Sequence, residues 1–146
     1  MGVKTLEVGA LGCCCYIVSS DEPHHEETPC VVIDPGAEPE RITTEIRKMG
    51  LRLETVFLTH AHGDHIGGVA GLLAEWPGAV LACSAETSRR AGDPQLNLSV
   101  YMGEQVSAPP AGRILQDGER FEAAWLDWLE VAVPEHDPGE LVYILG

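Results

Sequence analysis

Short segments of strand length alternate with helical patterns through the first two-thirds of this sequence. Residues 30–33 and 55–59 are mainly apolar runs, whereas residues 38–49 carry isoleucine at helical spacing and are followed by Gly50, which favours a helix end. A chain that returns to its sheet through a helix lays that helix on one face of the sheet. The alternation therefore predicts an α/β fold in which helices pack against a central sheet.

The other predicted elements continue this alternation and then depart from it. They are a strand, turn and strand at 6–20, a loop at 21–29, a helix at 64–76, a strand at 79–83, a short helix at 86–92, and strands at 114–115, 121–122, 128–133 and 141–145. Helical patterns are scarce after residue 102, so the second half is predicted to consist mainly of strands. The length of 146 residues, without a linker or a repeat, predicts one domain spanning residues 1–146.

The charge balance of the sequence is strongly acidic. The 23 Asp and Glu residues against 9 Lys and Arg give a formal net charge of -14. Such a surface repels a phosphate backbone and an anionic membrane surface. No apolar run approaches the roughly 20 residues that a bilayer span requires. Partners of these two kinds, nucleic acid and membrane, are therefore not expected.

The cysteines do not form the spaced framework of a disulfide-rich protein. There are five, an odd number, and three of them are adjacent at Cys13, Cys14 and Cys15. Residues 1–6 also lack the order of a secretory signal. We therefore expect reduced cysteines and a cytoplasmic location. Because neighbouring side chains alternate faces on a strand, packing is favoured over metal binding or catalysis for the adjacent three.

A cluster of chemistry-bearing side chains follows the strand at 55–59. His60 and His62 stand two positions apart at its end, so both can point the same way and bind one cation, while Asp64 and His65 begin the next helix and face a second position. Neutral imidazole and carboxylate are ligands that zinc accepts, with iron and manganese as alternatives. The pattern predicts a site for one or two metal ions that polarise a carbonyl group. The alternative is a solvated polar turn with incidental histidines.

Residues 59–68, Thr-His-Ala-His-Gly-Asp-His-Ile-Gly-Gly, resemble the metal-binding signature of the metallo-β-lactamase superfamily. Residues 32–36 resemble the strand end of that family that carries a supporting acid, and residues 93–99 are similar to a loop of its glyoxalase II-like hydrolases. The resemblance runs in order through nearly the whole chain. It implies an αββα sandwich and metal-dependent hydrolysis of a thioester or ester in a small-molecule substrate.

The same resemblance implies a role for each residue of the site. In this family a later histidine in a Pro- and Gly-rich context completes the first metal site, and residues 134–139 supply that context around His136. The first site would hold zinc. The implied assignments are metal binding by His60, His62, Asp64, His65 and His136, a catalytic role for Asp64 in holding a second metal or orienting the attacking water, and orientation of a ligand histidine by Asp34.

The sequence departs from the family pattern in two places. Glu135 stands where the family usually has glycine, which adds bulk and charge beside His136. The family also supplies a bridging aspartate and a last histidine from a later region, whereas no histidine follows His136 and no aspartate follows Asp137 in this sequence. We therefore expect the αββα fold without its C-terminal strands and helices.

These departures leave the activity open. The first site keeps three ligands and is expected to hold about one zinc, whereas the second site is doubtful and activity is expected to be weak. A non-catalytic relative that binds a metal or a partner is the alternative. A nuclease of the β-CASP type is disfavoured because the net charge is -14 and no length remains for its additional domain.

The remaining expectations concern weaker signals and assembly. Cys30 and Cys83 lie in apolar strands and are predicted to be core residues, and His24 and His25 lie in an acidic loop where solvation is favoured over binding of a surface metal. Large apolar side chains at 125–129, together with a strand at 141–145 that has no following partner, predict a homodimer.

Overall fold

The computed structural model of the protein describes residues 1–21 and 27–146. Its elements in chain order are β1 (Gly2–Val8), β2 (Cys13–Ser19), β3 (Thr28–Ile33), α1 (Pro39–Lys48), β4 (Leu51–Phe57), α2 (Gly63–Ile66), α3 (Val69–Glu75), β5 (Val80–Cys83), α4 (Ala85–Ala91), a 3-10 turn (Ser99–Tyr101), β6 (Arg113–Ile114), β7 (Arg120–Ala123), β8 (Leu126–Ala132) and β9 (Leu141–Leu145). The predicted strands and helices are present with boundaries shifted by a few residues, except for the helix predicted at 64–76.

The first sheet contains six strands in the order β1-β2-β3-β4-β5-β6. The pairs β1–β2 and β2–β3 are antiparallel, and the next three pairs are parallel. Helix α1 connects β3 to β4, helices α2 and α3 connect β4 to β5, and α4 lies between β5 and β6. Each parallel pair therefore uses a crossover that contains a helix, as the alternation in the sequence predicts.

The second sheet is a meander of three antiparallel strands in the order β7-β8-β9. Its inner face packs on the side of the first sheet opposite to the helices, so the described residues form three layers of helices, sheet and sheet. Two separate cores hold these layers together. The core between the helices and the first sheet includes Ile17, Val32, Ile42, Ile46, Leu53, Ile66 and Leu72.

The core between the two sheets is built around aromatic side chains. The Phe57 ring lies 5.0 Å from the ring of Trp128 and stacks at 4.5 Å on that of Tyr143. Trp128 is 1% exposed, so this tryptophan packs inside its own chain and supplies no apolar surface for a dimer. Trp125, in contrast, is 42% exposed.

The single helix predicted at 64–76 is wrong, because the structure contains two short helices with a break between them. The backbone leaves the helix at Gly67 and Gly68, where the chain passes close to the loop after β3. The Gly68 amide donates to the Pro35 carbonyl at 2.7 Å, and a Cβ on Gly67 would lie 2.5 Å from the Gly36 carbonyl oxygen. Glycine is required because the backbones touch.

Two further expectations concern the loop at 21–29 and the lack of a membrane-spanning segment. The predicted loop at 21–29 falls mostly outside the described residues, and so do His24 and His25. Among the helices that the structure describes, none combines the length and the apolar character needed to span a bilayer.

Candidate metal centre

The candidate metal centre lies at the carboxyl ends of the parallel strands in the first sheet. Asp34 follows β3, and His60 follows β4 after two further residues. His136 comes from the other sheet, in the connection between β8 and β9. The Leu141 amide donates to the Thr59 carbonyl at 2.8 Å, which joins the start of β9 to the histidine-bearing loop. Ligand sites of open α/β sheets occupy this position in general.

Three histidines that are distant in sequence converge at this edge. One ring nitrogen from each of His60, His62 and His136 lies within 4.8 Å of the others. The ring of His136 is 5.1 Å from that of His60 and 4.9 Å from that of His62. The structure thus brings together the three residues expected at the first metal position, and three imidazoles are a donor set that zinc accepts.

Asp34 connects several groups of this centre. Its Oδ1 accepts from the Thr59 amide at 2.8 Å, and its Oδ2 accepts from the Thr59 hydroxyl at 2.6 Å. The Thr59 Oγ1 also lies 2.9 Å from His60 Nδ1. Since the hydroxyl proton is directed at the carboxylate, His60 Nδ1 is the donor in that contact, and the lone pair of the ring is on Nε2. Asp34 therefore fixes the tautomer of His60 through Thr59.

The His60 side chain is held in the neutral form that a metal ligand needs. Burial of the ring, followed by the neighbouring imidazoles, first that of His65, outweighs the opposing effect of Asp34 and lowers its pKa from 6.5 to about 4. A neutral imidazole has a free lone pair over the whole physiological pH range. This electronic state, together with the converging nitrogens, shows that the residues present fit a divalent metal ion.

His65 has the opposite electrostatic environment. Burial, the largest single effect, lowers its pKa. The hydrogen bond from His65 Nδ1 to Asp34 Oδ2, at 3.0 Å, acts with the contact to Cys13 and the charges of both groups, and together they outweigh burial and raise the pKa to about 10. His65 Nε2 lies 3.5 Å from Asp64 Oδ2. Asp64 and His65 thus adjoin each other at the start of α2, as the sequence predicts, and Asp34 contacts a site histidine as the family resemblance implies.

Two further side chains contact the site, and the sequence interpretation missed both. Cys13 Sγ lies 3.4 Å from His65 Nδ1, because the β1–β2 hairpin brings the first of the three adjacent cysteines to the histidine loop. Asp137 is 1% exposed, and its Oδ2 lies 3.8 Å from His62 Nε2 and 3.6 Å from Arg90 Nε. Only the position of Asp137 next to His136 hinted at its role.

The fold and the site together define a class of metal-binding αβ sandwich proteins. In this class helices cover one face of a mainly parallel sheet, a second antiparallel sheet covers the other face, and histidines lie at the common edge of the two sheets. The chain belongs to the metallo-β-lactamase superfamily, which it matches over residues 8–146. Members of this superfamily bind divalent metals, and the present histidine cluster is able to do so. The recognition of the family from its motif is therefore confirmed.

Curated relatives include proteins of two descriptions. The chain is 29% identical over 141 residues to the probable metallo-hydrolase YqgX of Bacillus subtilis, a match that covers 96% of this chain and 64% of that protein. It is 32% identical over 130 residues to the hydroxyacylglutathione hydrolase of Gloeothece citriformis, covering 88% of this chain and 42% of the relative. The chain thus spans about two-fifths to two-thirds of the length of these relatives.

Solved structures share the same fold. The BLEG-1 B3 metallo-β-lactamase superposes with a TM-score of 0.89 at 24% identity, over 99% of this chain and 67% of that chain. The protein TTHA1623, solved in a di-iron-bound form, superposes with a TM-score of 0.79 at 27% identity, over 97% of this chain and 66% of that chain. The expected α/β sandwich fold is confirmed, and this chain corresponds to about two-thirds of each solved chain.

Proposed function

We propose that the protein is a metal-dependent hydrolase that cleaves a thioester or ester bond in a small molecule. The observation that carries this proposal is the convergence of His60, His62 and His136 within 4.8 Å, next to Asp64 and His65. Similarity to hydroxyacylglutathione hydrolases and to a probable metallo-hydrolase supports the reaction type. Zinc is the proposed metal because three imidazoles form a donor set typical of zinc.

Each group of the centre has a distinct part in this proposal. A divalent ion, when bound, polarises the carbonyl oxygen of the substrate and acidifies a water molecule. His60, His62 and His136 would hold that ion. Asp64, with a partly exposed side chain at the start of α2, would orient the attacking water or hold a second ion. Asp34 keeps His60 and His65 in place through the hydrogen bonds described above.

The test combines metal content with hydrolysis. We expect about one tightly bound zinc per chain after reconstitution, and slow turnover of thioesters such as an S-acyl N-acetylcysteamine. His60→Ala should abolish both metal binding and hydrolysis, and Asp64→Ala should reduce hydrolysis strongly. Asp127→Ala, an exposed aspartate on the second sheet, serves as the control and should leave both unchanged. Two tightly held metals per chain would contradict the single site.

The second candidate is a protein that binds a metal without turnover. The number of ligands at the second metal position favours this candidate. Among the described residues, Asp64 and His65 are the ligands expected there, because Asp34 is already hydrogen-bonded to Thr59 and His65. Two ligands rarely hold a metal firmly. Zinc binding without hydrolysis of any thioester, ester or lactone would identify this case and reject the first proposal.

A further inference from the structure

A cavity of about 570 Å³ adjoins the metal centre at Asp64, whereas none of the site histidines is among the described residues of its wall. Asp64, Gly63 and Gly67, which belong to helix α2 and its C-terminal end, form part of its wall. The rest of the wall comes from three loops, namely the β1–β2 turn, the segment between β3 and α1, and residues 101–106. Pockets for small molecules have volumes of this order and commonly adjoin reactive groups.

The wall of this cavity is mainly apolar, and large apolar side chains are exposed at its edge. The apolar lining includes Val8, Leu11, Pro39, Tyr101, Met102 and Val106. Leu11 is 67% exposed, Tyr101 is 84% exposed and Met102 is 42% exposed. Exposed apolar groups that gather around one cavity mark a surface for an apolar ligand, whereas isolated ones carry no such meaning.

The charged groups in the wall of the cavity are all acidic. They are Glu38, Asp64 and Glu104, and none of the described lining residues is Lys, Arg or His. Arg41 Nη1 lies 3.6 Å from Glu38 Oε2 and balances part of that charge, so Glu104 carries the negative charge at the edge without such a neighbour among the lining residues. The net charge of -14 adds to the negative potential around the cavity.

We infer that this cavity is the substrate pocket and that it selects an apolar, uncharged thioester or ester over one whose leaving group carries carboxylates. This inference rests on the proposed hydrolase function and specifies its substrate class. A thioester of glutathione presents two carboxylates, which would meet Glu104 and Glu38 without a cation from the wall. An acyl group or leaving group of aliphatic character instead contacts Leu11, Tyr101 and Met102.

Binding of two stable thioethers tests the pocket independently of hydrolysis. S-hexyl-N-acetylcysteamine is neutral, S-hexylglutathione is anionic, and both share the same apolar tail. Isothermal titration calorimetry on the zinc-loaded protein at low salt measures both dissociation constants. That of the neutral compound should be at least about tenfold lower than that of S-hexylglutathione. Added salt should bring the two dissociation constants closer together, because salt screens the repulsion between S-hexylglutathione and the acidic wall.

Two pairs of variants connect this preference with the named residues. Glu104→Gln should strengthen binding of S-hexylglutathione about threefold without changing that of the neutral thioether, and Glu122→Gln on the second sheet is the control for the lost charge. Tyr101→Ala should weaken binding of both thioethers, whereas Val3→Ala, an exposed apolar position outside the cavity, should not.

The outcomes separate the inference from the proposed function. The inference is overturned if neither thioether binds, or if S-hexylglutathione binds as tightly as the neutral compound. Preferential binding of the neutral thioether upholds the pocket and its selectivity, even where the corresponding thioester is not turned over. Absence of turnover for both thioesters, by contrast, contradicts the hydrolase proposal.

Discussion

Arg90 and Asp137 form a charged pair next to His62. Asp137 Oδ1 accepts from the Gly139 amide at 3.0 Å, which fixes the carboxylate inside the turn that follows His136. Its buried Oδ2 accepts no hydrogen bond from the described residues and faces both Arg90 Nε and His62 Nε2. At 3.8 Å the Asp137 carboxylate acts on the His62 ring through its negative charge and not through a hydrogen bond, and such a charge increases the basicity of a metal-binding imidazole. Asp137 therefore links His62 with the His136 turn.

Loss of this carboxylate should weaken metal binding. Asp137→Asn removes the charge that faces His62 and leaves Arg90 without its buried partner, so we expect about a tenfold loss of zinc affinity. The free energy of unfolding should also fall by about 1–3 kcal/mol. Chelator competition and urea denaturation measure the two effects. Asp127→Asn on the exposed sheet surface is the control, and an unchanged zinc affinity in Asp137→Asn would contradict this role.

Loop contacts at the start of α2 determine where Asp64 and His65 lie. A Cβ on Gly36 would collide with the Asp64 carbonyl oxygen, and it would also lie 3.1 Å from the Cβ of Cys13. Both neighbours are parts of fixed backbone elements, so neither can move away without displacing the site. The loop after β3 thus acts as a template for the first turn of α2.

A methyl group at this contact should displace helix α2. We expect Gly36→Ala to lower the free energy of unfolding by about 1–3 kcal/mol and to weaken metal binding, because the helix that carries Asp64 and His65 must shift. Gly78→Ala is the matched control, since a Cβ there meets nothing within 4 Å. Thermal unfolding and zinc titration of both variants provide the measurements. Equal stability of the two variants would refute the template.

The sequence predicts the elements better than their junctions. Apolar runs and helical spacing locate the strands of the first sheet and α1, because those patterns reflect which face of each element is buried. The break between α2 and α3 escapes prediction because it arises from contact between Gly67 and a loop distant in sequence. Likewise, the histidine cluster follows from a local motif, whereas the contacts of Cys13 and Asp137 depend on tertiary packing.

Glu130 is a buried acid in the core between the two sheets. It is 0% exposed, and neither of its carboxylate oxygens has a hydrogen-bond partner among the described residues. Burial, followed by the nearby Glu119, raises its pKa from 4.5 to about 7, and Arg113 lowers it in part. Because the folded state binds this proton more tightly than the unfolded state, Glu130 lowers stability as the pH rises from about 4.5 through about 7.

Replacement of Glu130 by glutamine should remove this pH dependence. At pH 8 we expect Glu130→Gln to be more stable than the parent protein by about 2 kcal/mol, and at pH 5 the two should differ little. Urea unfolding at both pH values measures the difference. The exposed Glu122→Gln in the same sheet is the control and should show no such pH-dependent gain. A Glu130→Gln protein that is less stable at pH 8 would reject the buried charge as the cause.

The outer face of the second sheet carries an apolar patch formed by two cross-strand pairs, Leu129 with Ile144 and Val131 with Val142. Val142 is 43% exposed and Ile144 is 45% exposed. Exposed apolar patches favour contact with another protein surface, and in a two-fold dimer the same patch of each copy meets the other. We therefore expect a second copy of the chain to cover this patch. Light scattering should give twice the monomer mass, and Ile144→Lys should give the monomer. A parent protein that is monomeric at micromolar concentration would exclude this dimer.

The origin of the three histidines has a consequence for the whole molecule. His60 and His62 follow strand β4 of the first sheet, and His136 follows β8 of the second. An ion bound by all three would therefore cross-link the two sheets. By thermodynamic reciprocity, the free energy by which the bound ion stabilises packing between the sheets equals the free energy by which that packing strengthens ion binding. We therefore expect a smaller side chain at Trp128, which contacts none of the three histidines through its ring, to weaken metal binding, and we expect removal of the ion to weaken the aromatic packing around Phe57.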